Sequence, residues 1–325
     1  MTMAIQLPVE VKKKASRDGF GDALMFLGEH NPDVVVLSAD LTESVRAQKF
    51  QATFPRRFFS MGVAEQGMVA TACGLAHAGK IPLAVSFGIF VSGRAWEMIR
   101  TSVCYSELNV KICGGHTGIT VGPDGATHQC LEDIACMRVL PNMTVLVPAD
   151  SNQTRAAALA MVEHVHGPTY LRFGRESLPN FTDPDAPFVV GQSQLLREGS
   201  DLTIIACGIC CWIAMQGAEL LAEQTGLEAR VINMHTIKPI DRAAIASAAA
   251  ETGAILTFEE AQTTAGLGGA VAEVVVETCP VPMSFMGMPN RFGESGNVPE
   301  LLAKFGYTPE NVVLHARALH ARKRK

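Results

Sequence analysis

Aromatic residues are scarce in this sequence: phenylalanine, tyrosine and tryptophan together make up 6%. With alanine and glycine abundant, that scarcity speaks against a β-sandwich and for helices packed closely on a parallel sheet. An excess of positive charge is also missing. Lys and Arg number 27 against 32 Asp and Glu, a net charge of −5, which is the reverse of what a general nucleic-acid binder carries. No apolar run approaches the roughly 18–20 residues of a membrane span. The first residues, Met1 to Pro8, show no basic start followed by an apolar stretch, so no secretory signal is read there. Nine cysteines in 325 residues are too sparse for a disulfide scaffold. What remains is a soluble, cytoplasmic α/β protein. Its 48% hydrophobic and 18% charged residues exclude global disorder, and its length allows two domains.

Apolar runs alternate with helical spacing along the chain. Strands are predicted at 33–38, 58–61, 81–87, 109–113, 144–147 and 170–173, and helices at 65–77, 94–106, 132–137 and 152–164. The alternation implies βαβ crossovers and a mostly parallel sheet flanked by helices. Residues 176–187 carry three prolines and little apolar matter, so 177–188 is taken as a linker. A second α/β unit follows, with strands at 201–206, 228–233, 254–258 and 281–286. The expected organisation is an N-terminal extension over 1–12, a first domain over 13–176, and a second over 189–325. The basic tail from His320 reads as a solvated end.

Several constellations have bland readings. Cys207-Gly-Ile-Cys210-Cys211 sits at a strand-to-helix turn and lacks the second ligand pair of a zinc site, so it reads as small buried residues. Thr264 to Gly269 is Gly-rich before a helix, but no Gly-Lys-Ser/Thr follows, so packing is preferred over phosphate binding. Glu65 begins an apolar helix and is either a first-turn dipole partner or a carboxyl close to burial. Phe87 and Phe90 lie where a strand gives way to a helix, as core or as walls for a flat ring at the strand ends. The segment His116 to Gln129 places two histidines and Asp124 among glycines and threonines. Such a loop is a ready small-molecule site, and the spacing of its histidines does not make a helical metal pair. No metal ligands are assigned.

Taken together, Ser38-Ala-Asp40-Leu-Thr-Glu-Ser44, Gly62-Val-Ala-Glu65-Gln66, Phe87-Gly-Ile-Phe90, and His116 with Asp124-Gly-Ala-Thr-His128-Gln129 resemble the C-terminal half of transketolase. Pro141-Asn-Met143, Pro148-Ala-Asp150, Leu171-Arg-Phe-Gly-Arg175 and the run from Val231 to Ile240 extend the resemblance to nearly the whole chain. It implies a pyrimidine-binding domain and a transketolase C-terminal domain, with thiamine diphosphate as cofactor. Glu65 falls on the glutamate that hydrogen-bonds the aminopyrimidine ring, and Phe87 and Phe90 fall on aromatics that pack it. Asp40 falls near the thiazolium and the substrate. His128 falls on the histidine that contacts the ketose hydroxyls, and Asp124 on the aspartate that reads a sugar hydroxyl. Arg17, Ser44, His116 and Arg175 fall on the group that holds a sugar phosphate, a donor set suited to a dianion.

Two departures qualify the resemblance. Gly93 stands where many transketolases place a tyrosine beside the pyrimidine, with Arg94 next to it. The diphosphate-binding domain, with its Gly-Asp-Gly pattern and Mg²⁺ site, is not in these 325 residues. The resemblance therefore implies a split transketolase. A separate diphosphate-binding subunit would hold Mg²⁺, and two copies of each chain would form an α2β2 assembly acting on phosphorylated sugars. The alternatives are the β subunit of a 2-oxo-acid dehydrogenase decarboxylase component, a transketolase for a sulfonated or unusual sugar, deoxyxylulose-phosphate synthase, and a binding module that has lost catalysis.

Overall fold

Runs of valine, isoleucine and leucine bounded by polar or Gly-containing turns make most of the strands. Residues 11–324 are described by the structure, a computed structural model, so most of the predicted N-terminal extension lies outside the described residues. The strands are β1 (Lys13–Ala15), β2 (Val34–Ser38), β3 (Phe58–Ser60), β4 (Ile81–Phe87), β5 (Lys111–Gly115), β6 (Thr144–Leu146), β7 (Thr169–Arg172), β8 (Ser177–Pro179), β9 (Gln194–Arg197), β10 (Leu202–Ala206), β11 (Ala229–Asn233), β12 (Thr236–Lys238), β13 (Ile255–Gln262) and β14 (Met283–Met288).

Seven of them form one sheet in the order β12-β6-β7-β5-β4-β2-β3, parallel except for β12. Five form a second, β14-β13-β10-β11-β9, parallel except for β9. Strands β2, β5, β7 and β10 are buried along their whole length; β2 and β10 read as apolar runs accordingly, whereas β5 and β7 also bury Lys111, Thr169 and Arg172. The helix Glu65–His77 and strand β4 fall where the spacing places them.

Three features differ from the sequence expectation. A helix starts at Gly88, not Arg94: Phe87 is still extended, and the Ser92 hydroxyl donates back to the Gly88 carbonyl at 2.7 Å. Continuing through 96–98, it opens into a π-type turn over Ile99–Cys104. Gly88 has no room for a side chain, since a Cβ there would lie 2.5 Å from Thr117 Cγ2.

The segment 177–188 is tied down. Strand β8 pairs with β1, and the Asp150 carboxylate accepts from the Phe181 and Thr182 amides and the Thr182 hydroxyl at 2.6–2.7 Å. Thr236 to Lys238, just after β11 of the second sheet, pairs with β6 and forms the edge strand of the first, so the chain itself joins the two sheets, and the Gly208 amide donates to the Val147 carbonyl at 3.3 Å beside that junction. One apolar cluster also spans them, from Val145 and Tyr170 to Ile205, Ile232 and Val274.

The basic tail is docked rather than free. Arg322 donates to the Met283 carbonyl at 2.8 Å and Lys323 to the Asp201 carbonyl at 2.7 Å.

The bland readings of the cysteine and glycine motifs fit the geometry. Cys207, Cys210 and Cys211 are buried, and burial pushes each thiol well above its usual range, away from nucleophilic thiolate. At the Gly-rich turn, the amides of Leu267 and Gly268 already donate to the Glu259 carboxylate, both at 2.8 Å. That helix start holds the chain's own anion.

Candidate functional site

Most residues singled out for the site lie at or beyond the C-terminal end of a parallel strand of the first sheet; Arg17 comes from the helix Ser16–His30 that follows β1 and is brought there by its amide, which donates to the Gly174 carbonyl beyond β7 at 3.2 Å. The register aligns Ser38 with Val85 and Phe87 with Gly115, so Asp40, Phe87 and His116 emerge along one edge, as ligand-binding groups do in open α/β sheets. Three residues at these ends adopt left-handed backbone without being glycine: Asp40 (φ 60°), Arg46 (φ 64°) and His116 (φ 53°). Strain of this kind persists where surrounding structure enforces it, and it gathers at functional sites.

Glu65 is buried at the start of its helix, the second of its two readings. Its Oε1 accepts from the Ser86 hydroxyl at 3.2 Å and its Oε2 from Arg94 NH1 at 3.2 Å. Arg94 is half exposed and crosses to Glu65 over the Phe90 ring, its guanidinium carbon 4.3 Å from the ring centre. Gly93 has no neighbour within 4 Å of where a Cβ would stand, so the arginine, not a ring at 93, closes this wall.

The aromatic side of the pocket is continuous. Phe87 stacks on His116 at 3.9 Å and lies 6.0 Å from Phe90, and His128 meets Phe90 edge-on at 5.4 Å. His128 Nδ1 pairs with the Thr127 hydroxyl at 2.9 Å, which orients the ring.

Beside this wall the charge turns positive. Arg17 reaches the Ser44 carbonyl with NH1 at 3.2 Å, while its buried Nε has no partner. Burial and the guanidinium groups of Arg46 and Arg175 lower the Arg17 pKa. His116 is buried with its Nδ1 unpartnered, and burial followed by the nearby Arg17, Arg175 and Arg46 pushes it down to about 3. The imidazole is therefore neutral, and the surrounding cations make the place favourable for an anion. Arg175 donates to Asp124 at 3.0 Å and to the Val121 carbonyl at 3.1 Å, so two residues expected in different roles hold one another. Arg46, paired to Asp18 at 2.6 Å, belongs to the cluster and was not singled out in the sequence. Its signal was its place two residues after Ser44.

The structure thus gathers Glu65, Phe87, Phe90, His116 and His128 in one wall and Arg17, Ser44, Arg175 and Asp124 beside it, with Asp40 exposed at the end of β2. Among the described residues no group of three or more His, Cys, Asp or Glu is placed to hold a metal ion. A buried carboxylate beside a flat aromatic wall fits an aminopyrimidine ring.

Comparison with known proteins agrees with this reading of the fold. The transketolase pyrimidine-binding domain matches residues 12–180 and the transketolase C-terminal domain residues 191–312. A 6-deoxy-6-sulfo-D-fructose transketolase subunit from Clostridium sp. is 41% identical, covering 97% of this chain and 98% of its own. One of the apulose-4-phosphate transketolase subunits of Phocaeicola vulgatus is 38% identical over 92% of this chain and 95% of its own. Among solved structures, a split-gene transketolase described as an inactive β4 tetramer superposes with a TM-score of 0.89 at 46% identity, covering 95% of this chain and 99% of that one. The chain belongs to the transketolase family and carries its pyrimidine-binding and C-terminal domains.

Proposed function

We propose that this chain is the pyrimidine-side subunit of a thiamine-diphosphate-dependent transketolase that moves a two-carbon ketol unit from a ketose phosphate to an aldose. The observation that carries it is the juxtaposition of buried Glu65 and its aromatic wall with a cluster of three arginines. When bound, the cofactor supplies the carbanion chemistry that breaks and remakes the ketose carbon–carbon bond. Glu65 would hydrogen-bond the pyrimidine ring and hold a proton there, with Phe87 and Phe90 as walls and Ser86 keeping the carboxylate in place. His128 would contact the substrate hydroxyls near the reacting carbons, Asp124 a hydroxyl further along, and Asp40 the space beside the thiazolium. Arg17, Ser44, His116 and Arg175 would hold the terminal phosphate. A neutral His116 is able to donate one hydrogen bond while the guanidinium groups supply the charge.

A partner subunit would hold the diphosphate and Mg²⁺, in an α2β2 assembly. The names of related subunits and the tetramer of a related split-gene chain support separate chains. The arginine cluster weighs against the 2-oxo-acid dehydrogenase alternative, whose substrates need no site for a sugar phosphate. A sulfonated sugar stands as a second reading, favoured by the similarity to the 6-deoxy-6-sulfo-D-fructose transketolase subunit of Clostridium sp.. The test is a donor screen on the assembled complex with thiamine diphosphate and Mg²⁺. Ketol transfer from phosphorylated ketoses supports the main reading; transfer from the sulfonated ketose alone selects the second; decarboxylation of a 2-oxo acid without ketol transfer overturns both.

A further inference from the structure

Glu259 and Glu260 lie in the second half of the buried strand β13, and the candidate site uses neither. They point to different work. Glu259 takes the amides of Leu267 and Gly268 and so caps the helix of its own domain. The Glu260 carboxylate instead crosses to the first domain. Its Oε1 accepts from the Thr120 amide at 2.8 Å in a fully buried contact. Gly118, in left-handed backbone at φ 76°, lies flat against the same carboxylate; a Cβ there would sit 2.1 Å from Glu260 Cδ. Arg172 fixes the other side: its NH2 donates to the Glu260 carbonyl at 2.8 Å, its NH1 is 3.9 Å from Oε2, and its Nε binds Asp133 at 2.9 Å. Arg172 NH2 also donates to the Cys130 carbonyl at 3.3 Å, and Cys130 closes the base of the His116–Gln129 loop by pairing with Thr117 and with the Gly118 amide.

We propose that Glu260 is a positioning residue: its carboxylate, seated under Gly118 and Thr120, sets the His116–Gln129 loop and with it His116, Asp124 and His128. Ile119 and Val121 of the loop are buried and the Gln129 side chain donates to the Ile119 and Glu294 carbonyls, but neither contact satisfies the buried Thr120 amide, which among the described residues only Glu260 takes. A buried acceptor that no water replaces supplies the anchor, because losing it leaves the Thr120 amide unpaired in the interior. The second domain thereby acts on substrate binding without touching substrate. The kinetic part of this inference rests on the ketol-transfer reading; the structural part does not.

Two variants attack the contact from its two sides. Glu260→Ala removes the acceptor and carries the test; Gly118→Ala pushes the carboxylate off Thr120 but also strains the backbone at φ 76°, so it supports the result only alongside Glu260→Ala. Glu260→Gln keeps an acceptor oxygen and serves as the rescue. Hydrogen exchange on the full chain is expected to speed about tenfold or more across 116–129 in both alanine variants and to return to the wild-type rate in Glu260→Gln, with β4 and β10 unchanged. In the assembled complex, KM for a phosphorylated ketose should rise about tenfold or more, kcat should fall only as far as His128 is displaced, and Glu260→Gln should restore both. Unchanged exchange over 116–129, protection lost evenly over both sheets, or a KM that stays put in an active complex overturns the proposal. A wild-type complex without ketol transfer would sink the functional reading, while the exchange measurement would still judge Glu260.

Discussion

Each oxygen of the Glu65 carboxylate carries one donor: the Ser86 hydroxyl on Oε1 and Arg94 NH1 on Oε2, both at 3.2 Å. Ser86 belongs to the buried end of β4, whereas Arg94 is half exposed and reaches in over Phe90. Any ring that seeks Glu65 therefore competes with Arg94 rather than with Ser86. Arg94→Ala should lower the stability of the free chain by about 1–3 kcal/mol, because a buried carboxylate loses a donor. The same variant should bind thiamine diphosphate at least as tightly as wild type once assembled. Urea midpoints and cofactor titration read the two effects.

Glu65→Gln keeps the shape and one acceptor oxygen but removes the carboxylate. Turnover of the assembled complex should fall about 10²-fold or more, the range that positioned acid–base groups supply. Far-ultraviolet circular dichroism and assembly should be retained. A steady-state rate equal to wild type would remove Glu65 from the chemistry.

Arg175→Ala leaves Arg17 and Arg46 in the cluster but loses one charge-assisted donor and frees Asp124. Its effect should fall on KM for phosphorylated sugars, by about 10–100-fold, matching roughly 1.5–3 kcal/mol for a hydrogen bond to a charged group. Unphosphorylated sugars should be nearly insensitive, and the wild-type preference for phosphate should weaken as salt rises.

His116 and His235 are both buried and neutral. His116 is held at about 3 by burial and by Arg17, Arg175, Arg46 and His128; His235 is held at about 4 by burial, with Asp241 opposing. Both lie below the unfolded value near 6.5. Their contribution to stability is complete above that value and is lost as pH falls through the window down to the folded pKa, since the unfolded chain takes up protons first. The loss should approach roughly 1.4 kcal/mol per pH unit for each histidine. Urea midpoints from pH 7 to 5 check the slope, and His235→Gln should reduce it.

The sequence made some of this legible, and the reasons are local. Glu65–His77 and Ile81–Phe87 stand as read because apolar spacing and the Gly79 stop are properties of the segment itself. The His116–Gln129 segment stood out by its histidines, Asp124 and glycine-rich composition. Contacts between distant residues left no such mark. Arg94 on Glu65, Glu260 on Thr120, and Thr236–Lys238 beside β6 exist only once the chain is folded. The helix Pro309–His320 is different: Thr308, whose hydroxyl takes the Asn311 amide at 3.3 Å, and Pro309 at the first helical position are a start signal carried by the local sequence.

The most direct test of the account is ketol transfer from a ketose phosphate by this chain alone and after mixing with a diphosphate-domain subunit, thiamine diphosphate and Mg²⁺. No transfer alone and restored transfer in the mixture, abolished by Glu65→Gln, is the predicted result. Full transfer by the chain alone, or an assembled complex that binds the cofactor and transfers no ketol unit from any phosphorylated or sulfonated ketose, would contradict it.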